Sequence, residues 1–299
     1  MKTVECVPNF SEGKNRALVD QIVSEITKVD TVKLLDVELD PNHNRSVVSF
    51  VVSYDNAVKA AFAGIRKASE LIDMRKHSGE HPRFGASDVI PFIPISGTTL
   101  DDCVKLATDL GKMVGEQLNI PVYLYGSAAR SDARRNLEDI RNKSFQYEQL
   151  SVAISKEEWK PDFGPSKMGT AGASIIGARD FLIAYNVNLN SRDISVGKKI
   201  ARALRARDGG LTFVKALAFN LEDKGMIQIS MNLTSFRKTP IYRAFELVKL
   251  EASRYGISVA ESEIVGLVPM DAITETAQFY LQLNGFSTAQ IFEKKMWGD

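Results

Sequence analysis

Residues 227–233 read Ile227-Gln228-Ile229-Ser230-Met231-Asn232-Leu233, so that apolar and polar side chains alternate strictly. A period of two predicts a β-strand with one apolar face and one polar face. The turn cluster Glu222-Asp223-Lys224-Gly225 precedes this strand, and another apolar stretch, 213–221, precedes the turn. Together the three segments predict a β-hairpin.

The hairpin is the centre of a longer pattern. Before it come an apolar strand at 181–189 and a helix that Ser191 or Asp193 can cap, running to about residue 206. After it come a helical stripe at 241–255, a stop at Gly256 and a last strand that begins at 257–259. The predicted order is strand, helix, strand, strand, helix, strand.

The first part of the chain repeats this order. Strands are predicted at 3–7, 32–37, 47–52 and 89–95, with a turn at 8–13 and helical stripes at 18–26 and 58–72. The fold class is therefore α/β (α+β): two ferredoxin-like βαββαβ subdomains with mixed sheets. Right-handed crossovers place both helices on one outer face of each sheet and leave the other face bare.

The bare face of the second sheet is predicted to be polar at its centre. It carries Asn186, Asn188, Gln228, Ser230 and Asn232, on two strands that should be neighbours. Two interpretations stay open: the face lines a ligand cavity, which its amides and hydroxyls favour, or it is a plain solvated surface.

Between the two repeats lie a helical stripe at 100–118 and a strand at 122–125. The charged segment 128–143 is predicted to be a solvated surface helix. Residues 159–173 are rich in Gly and Pro, which is typical of a linker, but such a backbone-rich loop can also wrap a planar or anionic ligand.

Composition excludes several classes of protein. Among 299 residues, 38 basic side chains balance 37 acidic ones, which gives no reason to expect a nucleic-acid surface. The longest apolar runs are too short to span a bilayer, and the N-terminus has no signal-peptide pattern. Cys6 and Cys103 are not in a paired spacing, so we expect two reduced core thiols and a cytoplasmic protein.

Metal and nucleotide sites are not predicted. His77 and His81 have the i, i+4 spacing of helical metal ligands, but Gly79 and Pro82 oppose a helix there. No further zinc-ligand pattern and no phosphate-binding glycine loop is present.

The polar loop 77–88 is the best candidate for chemistry, because it precedes a buried strand and holds two of the three histidines. His81 lies between Glu80 and Pro82 and is either a catalytic base or an ordinary loop histidine. We expect a structural role for His77 and exposure to solvent for His43. Candidate carboxylate clamps are Arg45, Arg83 and Arg179. The chain has no G-x-S-x-G nucleophile motif, so an enzyme of this sequence would work by proton transfer and positioning.

Several motifs, spread in order along nearly the whole chain, resemble the glutamate formiminotransferase family. They are VECVPNFSEG at 4–13, LIDM at 71–74, GEHPRFGA at 79–86, PVYLYG at 121–126, PDFGPS at 161–166, GARDFLIAYN at 177–186 and VGLVP at 265–269. The resemblance implies two subdomains, 1–177 and 178–299, with a folate tunnel between them and assembly as a homodimer. In animals this transferase is fused to a cyclodeaminase, so the resemblance implies a separate cyclodeaminase as a partner of the present chain.

The resemblance also implies an activity: transfer of the formimino group from N-formimino-L-glutamate to N5 of tetrahydrofolate, the co-substrate, without a metal. Relatives handle formyl groups of formylglutamate or 5-formyltetrahydrofolate, so a formyl donor stays an alternative. A non-catalytic folate-binding protein and an ATP-dependent ligase or cyclase acting on 5-formyltetrahydrofolate are further alternatives.

The family's residues can be placed on this sequence. The catalytic histidine falls on His81, and an acidic site residue falls on Glu38, where an Asp is typical. Arg45, Arg83, Asn186, Asn188, Gln228 and Asn232 are possible substrate-site residues. The folate-contacting loop falls on Asp162, Phe163, Gly164, Pro165, Ser166, Lys167, Met168, Gly169, Thr170, Ala171 and Gly172.

Overall fold

A computed structural model describes residues 2–297. The chain divides into two compact units, with the boundary in the sequence between Asp180 and Phe181. The first unit contains β1 (Thr3–Cys6), β2 (Asn9–Phe10), α1 (Arg16–Thr27), β3 (Lys33–Asp40), β4 (Arg45–Ser53), α2 (Tyr54–Leu71), β5 (Ser87–Ser96), α3 (Leu100–Gln117), β6 (Val122–Gly126), the short helices α4 (Leu137–Ile140) and α5 (Tyr147–Ala153), and β7 (Ser174–Ala178). The described part of the chain has no helix that is long and apolar enough to cross a membrane.

The sheet of the first unit confirms the ferredoxin-like order and extends it. Its strands run β3-β4-β1/β2-β5-β7-β6, in which β7 and β6 add parallel strands beyond β5. The predicted turn at 8–13 was partly wrong, because Asn9–Phe10 pairs with β4 and β5 as the short strand β2. This segment continues the line of β1 across the centre of the sheet.

Helices α1, α2 and α3 cover one face of this sheet. Their apolar side chains pack with alternate strand residues such as Val4, Phe50, Phe92 and Ile176. Cys6 and Cys103 belong to the same core and are free thiols, as expected. We call the side that these three helices do not cover the second face; it carries the intervening strand residues.

The charged segment 128–143 is not a solvated helix. It contains only short helical turns, and with α5 it covers the β6–β7 part of the second face over a smaller apolar core around Tyr123, Tyr125 and Ile175. Two of its arginines form ion pairs with the rest of the unit: the half-buried Arg134 pairs with Asp162 at 2.8 Å, and the buried Arg141 pairs with Asp88 at 2.7 Å. Two of the segment's charges therefore serve ion pairs within the fold, while most of its other charged side chains are exposed.

Residues 159–173 are part of the first unit and not a linker between units. The carbonyl oxygen of Phe163 accepts a hydrogen bond from the amide of Val122, and Gly172 forms an antiparallel bridge with Gly85. The backbone of α3 approaches this segment closely at Gly115, where an added Cβ would lie 2.6 Å from the amide nitrogen of Gly164.

Gly115→Ala should therefore lower the free energy of unfolding by about 1–3 kcal/mol, since backbone or helix must shift to admit the methyl group. Lys112→Ala on the exposed side of the same helix is the control, with an expected change within about 0.5 kcal/mol. Urea unfolding of the two variants measures the difference. Equal stability of the two would show that the 159–173 segment is not packed against α3 in this way.

The second unit contains β8 (Ile183–Leu189), α6 (Ile194–Leu204), β9 (Val214–Leu221), β10 (Met226–Leu233), α7 (Ile241–Ser253), β11 (Val259–Val265), α8 (Met270–Leu281) and α9 (Phe292–Trp297). Its strand order, β11-β8-β10-β9, confirms the second ferredoxin-like repeat. Asp193 caps α6, and Gly225 takes the positive φ of 64° that the hairpin turn requires.

Candidate active site

The loop that carries His81 is fixed against the β3–β4 turn. The side-chain amide of Asn44 donates a hydrogen bond to the carbonyl oxygen of Ser78 at 2.9 Å, and His77 Nε2 lies 3.0 Å from the Asn44 carbonyl oxygen. Gly79 permits this approach, because a Cβ there would lie 2.4 Å from the carbonyl oxygen of His43. The loop is therefore fixed to the turn before β4 through its contacts with both His43 and Asn44.

Arg83 is buried beneath this loop and donates to several groups of the protein. Its two Nη atoms donate to the carboxylate of Glu148 at 2.6 and 2.9 Å, and its Nε donates to His77 Nδ1 at 3.2 Å. This network gives both Arg83 and His77 a structural task in the described protein. A substrate carboxylate would have to compete with Glu148 for Arg83, and a clamp role for Arg83 stays a prediction.

Hydrogen bonds assign the tautomer of His81. Its Nδ1 lies 2.7 Å from the carbonyl oxygen of Pro82, so Nδ1–H donates to that oxygen and Nε2 keeps its lone pair. Nη1 of Arg45 lies 3.3 Å from Nε2, and the other Nη atom of Arg45 donates to the side-chain oxygen of Asn9. His81 thus presents an acceptor nitrogen beside a guanidinium.

Burial and neighbouring cations keep His81 neutral. Burial, followed by the charges of Arg45 and Arg141, lowers the pKa of His81 to about 3. The imidazole is therefore ready to accept a proton at neutral pH, but in the unliganded protein it is a weak base. A ligand that brings negative charge to Arg45 would make His81 a stronger base.

Arg45→Met should raise the pKa of His81 from about 3, because it removes the nearest of the cations that oppose protonation. NMR titration of the histidine Cε1 protons measures the shift. Arg75→Met is the matched control, since Arg75 is paired with Asp73 on the exposed side of the same region and should leave His81 unchanged. An unaltered His81 titration in Arg45→Met would show that the charge of Arg45 does not influence the pKa of His81.

A second histidine adjoins His81. The rings of His43 and His81 meet edge to face with centroids 5.9 Å apart, and Nδ1 of His43 is paired with the carboxylate of Asp40. His43 is exposed, as expected, yet it belongs to the same cluster. The Asp-x-x-His spacing in the turn was the available sequence signal for this pair.

Glu38 lies on the second face, opposite Val47 of β4. Partial burial and the nearby carboxylate of Asp36 raise its pKa. Glu38 is exposed, and it shares this face with Arg45, which attracts it weakly. The structure thus brings Glu38, Arg45 and His81 to one side of one sheet.

The predicted folate loop divides into anchored and exposed residues. Asp162 accepts from the amide of Leu124 and pairs with Arg134, while Ala171 and Gly172 are buried. The exposed members are Gly164, Ser166, Lys167, Gly169 and Thr170. If the loop holds a ligand, its exposed middle is the part that is free to do so.

In the second unit, the predicted amide residues do meet. Asn186 faces Ser230 and Asn188 faces Gln228 across the β8–β10 pair, whereas Asn232 is exposed near the strand end. Sequence reasoning missed two glutamates that complete this cluster: Glu263 accepts from Asn186 at 3.0 Å, and Glu261 accepts from Asn188 at 2.9 Å. Their i, i+2 spacing in β11 was the available signal.

No group of three or more His, Cys, Asp or Glu side chains within residues 2–297 is arranged to hold a metal ion. The chemistry available at the His81 cluster is that of a neutral imidazole, a guanidinium and nearby carboxylates. Such a set can move a proton and bind an anionic substrate.

Known proteins match this chain along its length. Residues 3–179 match the formiminotransferase domain, N-terminal subdomain, and residues 184–295 match the formiminotransferase domain. The chain is 66% identical over 296 residues to a glutamate formimidoyltransferase of Thermoplasma acidophilum, covering 99% of this chain and 98% of that protein.

Two further relatives extend the comparison. A glutamate formimidoyltransferase of Streptococcus pyogenes is 42% identical over 299 residues and is covered over 99% of its length. The formimidoyltransferase-cyclodeaminase of Rattus norvegicus is 44% identical over 284 residues, which are 93% of this chain but 52% of that protein. Because both subdomain models match and two relatives are this similar over nearly their full length, the chain belongs to the formiminotransferase family.

Proposed function

We propose that this chain transfers the formimino group of N-formimino-L-glutamate to N5 of tetrahydrofolate and releases L-glutamate. The observation that carries the proposal is the 66% identity, over 99% of this chain, to a protein named glutamate formimidoyltransferase. The neutral imidazole of His81 supports it, because the reaction needs one proton removed and one proton delivered.

His81 is the proposed proton carrier. As N5 of the folate forms its bond to the formimino carbon, Nε2 of His81 takes the proton from N5. The bond between that carbon and the glutamate nitrogen then breaks, and His81 returns the proton to the leaving nitrogen. Because one group serves both steps, it ends in the state in which it began, and such catalysis contributes about 10²–10⁴-fold.

Arg45 is proposed to couple substrate binding to this chemistry. Its guanidinium lies beside Nε2 of His81 and can bind a carboxylate of the donor. A bound carboxylate would offset the charge that lowers the pKa of His81 and would draw Arg45 away from Nε2. Holding the two substrates side by side supplies much of the remaining acceleration.

The other proposed binding groups come from the sequence prediction. The exposed middle of the 162–172 loop is proposed to contact folate, and Glu38, Asn186, Asn188, Gln228 and Asn232 stay candidates for substrate contacts. The folate tunnel, the assignment of residues 1–177 and 178–299 as separate subdomains, the homodimer, a separate cyclodeaminase partner and the cytoplasmic location also stay predictions.

A coupled assay tests the proposal. The protein is mixed with tetrahydrofolate and N-formimino-L-glutamate, and released L-glutamate is measured together with consumed tetrahydrofolate. We expect the two to change in a 1:1 ratio and only when both substrates are present. Tight folate binding without glutamate release would favour a folate carrier instead.

A further inference from the structure

Glu5 occupies an unusual position for a carboxylate. It lies in β1 at the centre of the sheet, between Val51 of β4 and Ile93 of β5, and is 4% exposed. Val4 and Cys6 on either side point into the core beneath the helices, so Glu5 points to the second face. Among residues 2–297 its carboxylate has no hydrogen-bonding or ion-paired group in contact with it.

Burial makes the charged form of this carboxylate costly in free energy. It raises the pKa of Glu5 to about 7, and only the more distant charge of Arg179 opposes the shift. Arg179 itself donates to the carbonyl oxygen of Asp180 and to the hydroxyl of Tyr125. An apolar residue would stabilise a central strand better, so a buried, unpaired carboxylate here points to a ligand that supplies its partner.

Sheet geometry relates Glu5 to the His81 cluster. Glu5 pairs with Val51 and Asn9 pairs with Val47, so β1 and β2 pair with β4 in the same register. Glu5 and Asn9 are four residues apart, and both side chains therefore lie on the second face. Four residues at about 3.3 Å each separate their Cα atoms by about 13 Å. Since Asn9 contacts Arg45, and Arg45 contacts His81, Glu5 lies some distance along the face from the reacting atoms.

This separation restricts what Glu5 can bind. The formimino carbon must lie beside His81, so it cannot also lie against Glu5. The carboxylates of the donor and of the folate tail carry the same charge as Glu5 and would be repelled. The remaining donor-rich group is the pyrimidine edge of the tetrahydropterin ring, where the 2-amino group and N3–H point in the same direction, across the bicyclic ring from N5.

We propose that Glu5 binds the 2-amino and N3–H edge of the tetrahydropterin ring and thereby sets N5 against His81. The inference rests on tetrahydrofolate being the co-substrate, as proposed above. Two parallel N–H donors match the two oxygens of a carboxylate in the way that a guanidinium does, and they would stabilise the charged form of Glu5 that burial disfavours.

The test pairs a change in the protein with a change in the ligand. Binding of 5-formyltetrahydrofolate and of its 2-desamino-2-methyl counterpart is measured by calorimetry on the wild-type protein and on Glu5→Gln. On the wild type we expect the 2-methyl compound to bind about 10- to 100-fold more weakly, as for loss of a hydrogen bond to a charged group. The two compounds should bind to Glu5→Gln with about equal affinity, and both should bind more weakly than 5-formyltetrahydrofolate binds to the wild type.

Two outcomes would overturn the proposal. The first is equal affinity of the wild-type protein for both compounds. This measurement uses no variant, so it does not depend on whether Glu5→Gln folds. The other is a Glu5→Gln protein that weakens both compounds by the same factor, as a purely structural role would. Glu116→Gln, on the exposed side of α3, is the control for a charge change and should bind as the wild type does.

Failure of the proposed function would be visible separately. If the wild type releases no L-glutamate in the coupled assay but shows the ligand-dependent difference at Glu5, the pterin site stands and the transfer activity does not. If the wild type transfers the group but shows no such difference, only the role of Glu5 is lost.

Discussion

His81→Ala is expected to lower the turnover number for formimino transfer by about 10²–10⁴-fold, the range over which a positioned acid–base group contributes. Tetrahydrofolate should still bind to within a few-fold of the wild-type affinity, because the proposed folate contacts lie on the 162–172 loop and on β1. The loss should therefore fall on kcat more than on KM, which marks an interaction made in the transition state.

The matched control for this variant is Glu80→Gln. Glu80 is the exposed neighbour of His81 in the same loop, so its substitution disturbs the loop without touching the imidazole. Turnover should stay near the wild-type value in Glu80→Gln. Normal turnover in a folded His81→Ala protein with bound folate would refute a proton-carrier role for this histidine.

Arg141→Met is expected to lower the free energy of unfolding by about 3–5 kcal/mol. Arg141 and Asp88 are 6% and 2% exposed and form an ion pair at 2.7 Å, so the substitution leaves the Asp88 carboxylate buried without its cation. Asp88 also accepts a hydrogen bond from the amide of Phe84, at the base of the His81 loop. Denaturant unfolding followed by circular dichroism measures the loss.

Two further variants show whether loss of the buried ion pair causes the change in stability. Arg135, six residues before Arg141, forms an exposed pair with Asp132, so Arg135→Met should change stability by less than about 0.5 kcal/mol. The double variant Asp88→Asn/Arg141→Met should be more stable than Arg141→Met alone, because the unpaired charge is gone. If Arg141→Met is no less stable than Arg135→Met, the pair does not support the fold.

The sequence predicted most of the fold because the strands and helices carry clear periods. The alternation in 227–233 and the stops at Gly225 and Gly256 lie where the structure has β10, its hairpin turn and the end of α7. The neighbouring amides of β8 and β10 followed from the same alternation. These signals are local, so one segment at a time was enough to find them.

The segment 128–143 was misjudged for the opposite reason. Its charges are typical of a solvated helix, but Arg141 pairs with Asp88 and Arg134 pairs with Asp162, and both aspartates are far away in the sequence. No local period shows which arginine will meet a distant carboxylate. Long-range pairing also explains why residues 159–173 looked like a linker.

The candidate site was only partly visible in the sequence. His81 stood out through its loop and through the family resemblance, whereas Glu5 looked like an ordinary polar position in a short strand. Its significance depends on its central place in the sheet, between β4 and β5, and on its burial there, neither of which a local pattern shows. The His43–Asp40 pair likewise gained meaning only once the turn was seen beside His81.

A competition between two donors separates formimino transfer from formyl transfer and from folate binding alone. Limiting tetrahydrofolate is incubated with the wild-type protein and equal amounts of N-formimino-L-glutamate and N-formyl-L-glutamate, and the folate products are separated by mass spectrometry. The proposed activity predicts that 5-formiminotetrahydrofolate is the main product and that this product is absent without the protein. Accumulation of 5-formyltetrahydrofolate in its place, or recovery of unchanged tetrahydrofolate, would contradict it.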